Sequence, residues 1–219
     1  MERILDMKIR IVKEGYPHIL LSFFIGLVLV VFNIYLGLLC FALCVFITCF
    51  FRDPVRVSPE EDGIILSPAD GLVVDIRDIK DDTLLKKDAR RVSIFMSIFN
   101  VHVNYAPIDG VVKYIQYKKG QFKAAFVDEA SELNESNTVC VENGKTAVIL
   151  KQIAGLIARR IVCDPKVGDC VVSGKRYGLI KFGSRVEITF DSTYNIAVKK
   201  GDKVKGALTI LGVRRASGE

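Results

Sequence analysis

The 33 residues from Ile19 to Phe51 carry no formal charge, and this run constrains the fold more than any other feature. A helix that spans a bilayer needs about 20 apolar residues. At 1.5 Å per residue, one helix over the whole run would be about 50 Å long, which is too long for a single span. The segment from Asn33 to Gly37 supplies a polar break near the middle. We therefore predict two short helices, about Tyr16–Phe32 and Leu36–Phe51, arranged as a hairpin or a re-entrant loop.

Basic residues flank this run on both sides, and the positive-inside rule then places both ends in the cytoplasm. The expected location is the cell membrane, on its cytoplasmic face. A cleaved signal peptide is disfavoured because the run exceeds an h-region and no small-residue cleavage site follows it. The predicted division is a basic N-terminal tail (1–15), a hydrophobic membrane hairpin (16–51) and a β domain (52–219). The flanking basic residues are Arg3, Lys8, Arg10, Lys13, Arg52 and Arg56.

Composition narrows the possible partners and cofactors. Half of the residues are hydrophobic, which excludes a disordered chain. A net charge of +6 and a pI near 9.0 favour a polyanionic partner, either nucleic acid or an anionic membrane surface. No basic–aromatic motif supports nucleic-acid binding, so we expect none. With two histidines and no Cys-x-x-Cys pair, we also expect no metal site.

The sequence after Arg52 is typical of a β protein, with short runs of β-branched and aliphatic residues between turn signals. Two similar Gly-Asp phrases, around Gly168-Asp169 and Gly201-Asp202, resemble those of small sandwiches and barrels of the biotinyl/lipoyl-carrier type. The fold class we predict is mainly β, sandwich- or barrel-like, with few short helices. Strands are predicted at Gly63–Leu66, Leu72–Ile76, Arg91–Ile98, Gly110–Tyr117, Thr146–Ile153 and Leu156–Val162, and a short helix at Asp128–Ser136.

Gly183-Ser184 links two apolar stretches, and the second of these alternates polar and apolar residues as a half-buried strand does. An ordinary turn would explain the pair. A glycine also permits strained backbone, in which the following hydroxyl could attack the glycine carbonyl.

His102 and Asp70 interrupt the β pattern in two other places. Apolar residues occupy even positions up to Ile98 and odd positions after Phe99, which suggests a strand end or a bulge. His102 then lies on a polar face with Asn100 and Asn104. Asp70-Gly71 is a turn signal that precedes a strand. A structural histidine and a plain turn are the alternatives to a functional pair in which the acid orients the base.

Taken together, these motifs resemble the short form of the phosphatidylserine decarboxylase family. Two differences from longer members are Phe99, where those have a first histidine, and Phe-Gly-Ser-Arg in place of Leu-Gly-Ser-Thr; Ser136 stands where related short forms have arginine. The segments that carry the resemblance are Phe51–Pro54, Ser67–Gly71, Phe99–Asn104, Ala130–Glu135, Arg160–Cys163 and Phe182–Arg185.

The resemblance implies a self-cleaving enzyme that uses a pyruvoyl group and neither a metal nor pyridoxal phosphate. Ser184, deprotonated by His102 and oriented through Asp70, would attack the Gly183 carbonyl. Cleavage would leave a β chain (1–183) and an α chain (184–219) that stay associated, with Ser184 converted to the pyruvoyl group. A Schiff base between this ketone and phosphatidylserine would lose CO₂ and yield phosphatidylethanolamine. Higher oligomers are also compatible with the resemblance.

Two alternatives stay open from the sequence. The first keeps the chemistry but takes another serine phospholipid, such as archaetidylserine, as its substrate. The second is a non-enzymatic, membrane-anchored β domain of the carrier type, which the Gly-Asp phrases suggest.

Overall fold

The computed structural model describes residues 9–121, 133–155, 160–181 and 184–215. These residues form two compact units, which meet between Val55 and Arg56 and are described separately.

The N-terminal unit contains two apolar helices separated by a single residue. Helix α1 (Tyr16–Phe32) and helix α2 (Ile34–Phe50) are joined at Asn33, which has an extended backbone. The Asn33 side-chain oxygen accepts hydrogen bonds from the backbone N–H groups of Tyr35 at 2.9 Å and Leu36 at 3.3 Å. This N-cap satisfies donors that helix α2 leaves without partners in its first turn. The cap explains why α2 begins at Ile34 and not at Leu36 as predicted.

The two helices pack closely and form the predicted hairpin. A Cβ atom at Gly37 would lie 2.7 Å from Val30 Cα, so only glycine allows this approach. Strand β1 (Ile9–Ile11) pairs antiparallel with strand β2 (Arg52–Pro54) and brings the two ends of the hairpin together.

The outer surface of the hairpin is apolar. Large side chains such as Val31, Phe32 and Tyr35 are about 80% exposed. Among the described helices, α1 together with the 3₁₀ turn before it (Lys13–Phe32) is long and apolar enough to cross a membrane, whereas α2 is shorter. Such a surface favours membrane association.

The second unit is built from strands, as predicted. The described strands are β3 (Ile64–Leu66), β4 (Gly71–Asp82), β5 (Lys87–Met96), β6 (Val103–Tyr105), β7 (Gly110–Lys118), β8 (Ser136–Glu142), β9 (Ala147–Ala154), β10 (Ile161–Cys163), β11 (Cys170–Val171), β12 (Arg176–Ile180), β13 (Ser184–Asp191), β14 (Tyr194–Ile196), β15 (Lys203–Val204) and β16 (Ile210–Arg214).

One long sheet and two small sheets enclose the core. The long sheet has the strand order β11-β7-β8-β9-β13-β5-β4-β15 and curls over sheets β10-β12-β6 and β14-β16-β3. Its inner face carries the fully buried side chains of Ile94, Val148, Leu150, Val186 and Ile188. The prediction of a mainly β, sandwich-like unit is confirmed.

The β unit consists of two copies of one seven-strand motif. The sequence Pro68-Ala69-Asp70-Gly71 enters β4, and Pro107-Ile108-Asp109-Gly110 enters β7. Both aspartates accept a backbone hydrogen bond at 2.8 Å, Asp70 from Gly206 and Asp109 from Ser173. In each copy, the segment that follows the Gly-Asp pair therefore hydrogen-bonds to the aspartate of the Pro-x-Asp-Gly turn in the same copy.

Backbone register confirms the duplication. Gly168 and Gly201 have φ angles of 95° and 96°, and their N–H groups bond at 2.8 Å to the carbonyls of Val112 and Val73. Strand β12 pairs with β6, and β16 pairs with β3, each with an irregularity just before a glycine. The first copy comprises β3, β4, β5 and β13–β16, and the second comprises β6–β12.

The second copy is inserted into the first, between β5 and β13. Met96 ends β5 and Ser184 begins β13, and these two residues are register partners in the long sheet. The chain thus leaves the first copy and returns to it at the same point.

Some predictions need correction or lie outside the described residues. Strand β13 is buried on both faces and is not half-buried. Its polar face is covered because Glu187 accepts from Ser93 Oγ at 3.4 Å, with Arg185 Nε 3.5 Å from its carboxylate. Most of the helix predicted at Asp128–Ser136 and the start of the strand predicted at Leu156–Val162 fall outside the described residues, and Ser136 itself begins β8.

Gly110, which ends the Pro-x-Asp-Gly turn of the second copy, packs closely against strand β8. A Cβ atom at Gly110 would lie 2.7 Å from the carbonyl oxygen of Glu142. We expect Gly110→Ala to lower the free energy of unfolding by about 1–3 kcal/mol in urea titrations, because the backbone of β8 must move. The control is Gly144→Asn, since Gly144 has a φ of 78° and open space around it. Equal stability of Gly110→Ala and the natural chain would contradict the close approach.

Candidate active site

Ser184 is the first described residue of the central strand β13 and is fully buried. Its neighbours across the sheet are Met96 on β5 and Ala154 on β9. The hydroxyl donates to Met96 Sδ at 3.4 Å, which is a weak acceptor. A buried serine hydroxyl is poorly satisfied by such a partner. Gly183, its predicted cleavage partner, lies outside the described residues.

His102 is fully buried and follows the turn that leaves β5. This turn is closed by Asn100, whose side-chain oxygen accepts from Ser97 N at 2.9 Å and from Ser97 Oγ at 2.8 Å. The Asn100 carbonyl oxygen lies 2.9 Å from His102 Nδ1. Because a carbonyl can only accept, Nδ1 carries the proton in the neutral ring and Nε2 holds the lone pair. Nε2 is therefore the nitrogen that can act as a base.

Asp70 is bound to an arginine of the same unit. Arg56 donates from both terminal nitrogens to the two carboxylate oxygens, with Nη2–Oδ2 at 2.9 Å. Gly206 N donates to Oδ1 at 2.8 Å. The described contacts of Asp70 are thus with Arg56 and Gly206, and the direct orienting contact on His102 comes from Asn100.

Asp70 is linked to the strand that follows His102. The Arg56 guanidinium stacks 5.0 Å from the centroid of the Tyr105 ring. Tyr105 N also donates to the Pro68 carbonyl at 2.9 Å. Asp70 therefore belongs to a clasp that holds β6, three residues beyond His102.

Buried amides surround the Ser184 side of the core, and sequence reasoning assigned them no role. Asn104, Asn137 and Gln152 are all at most 3% exposed. Gln152 could have been noticed from the sequence, because it lies in the apolar strand Ala147–Ala154 on the same face as Leu150 and Ala154.

Tyr177, which is buried, and Cys163, which is partly buried, lie close to these amides. Burial raises the pKa of Tyr177 well above 10, and the charge of a Cys163 thiolate would raise it further. Burial likewise raises the pKa of Cys163, although a hydrogen bond with Asn137 opposes the shift. Both groups are therefore neutral at pH 7.

Potential metal ligands do not cluster among the described residues. Among the described residues, no cluster of three or more His, Cys, Asp or Glu side chains could hold a metal ion. Ser184, by contrast, offers a buried hydroxyl at the start of a strand that is fixed by β5 and β9.

Comparison with known proteins assigns the chain to a family. Residues 43–212 match the sequence profile of the family described as Phosphatidylserine decarboxylase. Three similar proteins are each named phosphatidylserine decarboxylase proenzyme. The one from Carboxydothermus hydrogenoformans is 42% identical over 201 residues, which cover 91% of this chain and 94% of the relative. The one from Ehrlichia canis is 43% identical (91% and 89%), and the one from Ralstonia nicotianae is 46% identical over 170 residues (77% and 79%).

These matches identify the chain as a decarboxylase, that is, a carboxy-lyase. The chain belongs to the phosphatidylserine decarboxylase family. The enzyme prediction is confirmed, and the carrier-like alternative is not supported.

Proposed function

We propose that this chain is a proenzyme that cuts itself between Gly183 and Ser184 and then converts phosphatidylserine to phosphatidylethanolamine and CO₂. The observation that carries the proposal is the buried Ser184 hydroxyl, which begins the central strand β13 where the inserted copy ends. The names of the relatives, which specify a proenzyme, support the same conclusion.

Self-cleavage uses the chain's own groups and one water molecule. Ser184 Oγ adds to the Gly183 carbonyl carbon as its proton passes to His102. The C–N bond then breaks, the amine takes a proton, and an ester replaces the amide. Loss of the α proton expels the Gly183 carboxylate and leaves dehydroalanine at position 184. Its imine tautomer is hydrolysed by water, which releases ammonia and leaves a pyruvoyl group.

His102 is the base in this scheme. Its Nδ1 proton is held by the Asn100 carbonyl, which leaves the Nε2 lone pair to accept the serine proton. His18 lies in the membrane-associated unit and stacks on Phe51. No other histidine occurs in the chain.

Asp70 orients His102 indirectly in our proposal. Its carboxylate holds Arg56, and Arg56 packs on Tyr105 of β6. Because β6 begins at the residue after His102, this clasp fixes where the backbone of His102 lies. Asp70 is therefore a positioning residue.

The pyruvoyl group would be held at the start of β13, between β5 and β9. There it would supply an electron-withdrawing ketone for the substrate amine, which would let the substrate carboxylate leave as CO₂. In this proposal His102 would hold a proton, or return it to the substrate carbon, after CO₂ has left.

The two fragments stay together because the cut removes no strand from a sheet. Strand β13 remains paired with β5 and β9, β15 with β4, and β16 with β3. The associated partners of the proposal are thus the 1–183 and 184–219 fragments, a phospholipid substrate and the membrane. The apolar hairpin α1–α2 would keep the enzyme at the cytoplasmic face of the cell membrane, where its substrate resides.

Removing the nucleophile or the base tests the proposal. We expect Ser184→Ala and His102→Ala to remain single chains, whereas the natural chain gives fragments 1–183 and 184–219. Intact-mass spectrometry of the purified protein measures both the cut and the conversion of Ser184. The controls Ser192→Ala and His18→Ala should cleave normally. Conversion of phosphatidylserine in mixed micelles, compared with archaetidylserine, then identifies the substrate. A natural chain that stays whole would overturn the proposal.

Asp70 has a matched control in the other copy. Asp109 accepts the equivalent backbone hydrogen bond but is exposed. We expect Asp70→Asn to slow cleavage and to lower the free energy of unfolding by about 3 kcal/mol, because Arg56 is buried and loses its ion pair. Asp109→Asn should change neither quantity. Slower cleavage at unchanged stability would mean that Asp70 acts on His102 directly, and the clasp model would be wrong.

Lys87 and Asp191 form an ion pair and would lie on different fragments after cleavage. This pair predicts that the stability of the cleaved protein depends on pH. Burial tends to raise the pKa of Asp191, but hydrogen bonds from Lys87 and Thr193 outweigh it and hold the pKa below 3.8. A depressed pKa contributes stability that is complete above 3.8 and is lost as pH falls through the lower, folded-state value. We expect Asp191→Asn to destabilise the cleaved protein at pH 6, and the difference to shrink below about pH 3.8.

Urea unfolding at several pH values measures this difference. Asp78→Asn is the control, because Asp78 is 80% exposed and pairs with Arg90 of the same fragment. A stability loss in Asp191→Asn that persists unchanged at low pH would contradict the ion-pair explanation.

A further inference from the structure

Three amide side chains linked by hydrogen bonds are buried in the core near Ser184, and the residues that correspond to two of them in the other copy are apolar. Asn104 and Gln152 are fully buried and Asn137 is 3% exposed. An amide buried without full hydrogen bonding costs free energy, so a group of three requires an explanation.

The amides form a chain with a defined direction. Asn137 Nδ2 donates to Gln152 Oε1 at 3.2 Å, and Gln152 Nε2 donates to Asn104 Oδ1 at 2.8 Å. Gln152 Nε2 also donates to the Val162 carbonyl at 3.3 Å. Since the Asn104 oxygen is occupied as an acceptor, its Nδ2 is directed to Met96 Sδ at 3.8 Å.

The first copy shows which residues occupy the positions that correspond to Asn104 and Gln152. Asn104 pairs with Gly178 as Ile65 pairs with Gly212. A Cβ atom at Gly178 would meet Gln152 Nε2 at 2.9 Å, and one at Gly212 would meet the Phe190 ring at 3.2 Å. Ile65 therefore stands at the position of Asn104, and Phe190 at that of Gln152.

Both counterparts are fully buried and apolar. The same backbone is thus built with an isoleucine and a phenylalanine in one copy and with two amides in the other. Folding does not demand the amides, which are present only in the copy that faces Ser184.

Asn104 and Ser184 share one weak acceptor. Ser184 Oγ and Asn104 Nδ2 both donate to Met96 Sδ, at 3.4 and 3.8 Å. A thioether competes poorly for a buried N–H once a negatively charged oxygen forms nearby. Asn104 Nδ2 is consequently a donor that lies beside the reacting serine without a strong partner of its own.

We propose that Asn104 donates a hydrogen bond to the oxyanion of the self-cleavage reaction, and that Gln152 and Asn137 position it. This inference rests on the proposed function. When Ser184 Oγ bonds to the Gly183 carbonyl carbon, the π electron pair moves to the carbonyl oxygen and the serine proton moves to His102. The Asn104 N–H then stabilises that oxygen until the C–N bond breaks, and no other reactant is needed.

The test replaces all three amides by apolar side chains. Asn104→Leu/Asn137→Leu/Gln152→Met removes both partners of the 3.2 Å and of the 2.8 Å hydrogen bond, so the free energy of unfolding should be unchanged or higher. Cleavage should slow by about 100- to 1,000-fold, as expected for the loss of one oxyanion donor. The matched control is Ile65→Leu/Phe190→Met, which places leucine and methionine at the positions of the other copy that correspond to Asn104 and Gln152.

Cleavage of the full chain is followed by intact mass in detergent micelles, with and without hydroxylamine, which cuts any ester that accumulates. Slow cleavage at retained stability, without acceleration by hydroxylamine, would support the proposal. Cleavage at the natural rate, or slow cleavage that hydroxylamine fully restores, would overturn it. A natural chain that does not cleave would instead overturn the proposed function.

Discussion

Strand β13 lies at the centre of the eight-stranded sheet and is paired along its length with β5 on one side and β9 on the other. The rest of the site depends on this double pairing. It buries Ser184, sets Met96 opposite it, and excludes water from both faces of the strand. A cut directly before Ser184 therefore breaks one peptide bond and leaves every described strand pair in place.

The internal duplication separates what the fold requires from what chemistry requires. Asp70 and Asp109 make the same backbone hydrogen bond in the two copies, which marks that contact as a folding device. Only Asp70 also holds Arg56. Likewise, Gln152 and Phe190 fill equivalent places, but only the glutamine extends a polar chain towards Ser184. Differences between the copies thus indicate function more directly than the polar character of any one residue.

Much of this structure could be predicted from local patterns, because hydrophobic runs, turns and caps act over a few residues. Helix α1 was predicted at its observed bounds, and β9 within one residue. The duplication was not predicted, because β6–β12 are inserted between β5 and β13. The strands of the first copy are therefore split into two segments that lie far apart in the sequence. Contacts between distant residues, such as Arg56 with Asp70 and Arg91 with Glu187, decide which polar groups can be buried, and no local pattern encodes them.

The inserted arrangement would also allow the proposed cut at this point to be tolerated. The second copy is joined to the first by two connections, one after Met96 and one before Ser184, and these residues face each other in the sheet. Cutting the second connection leaves the inserted copy covalently attached through the first. The new chain end is then produced where the sheet already fixes the position of its first residue. A cut in the turn between β8 and β9 would split the inserted copy instead, and its new end would lie away from Ser184 and the buried amides.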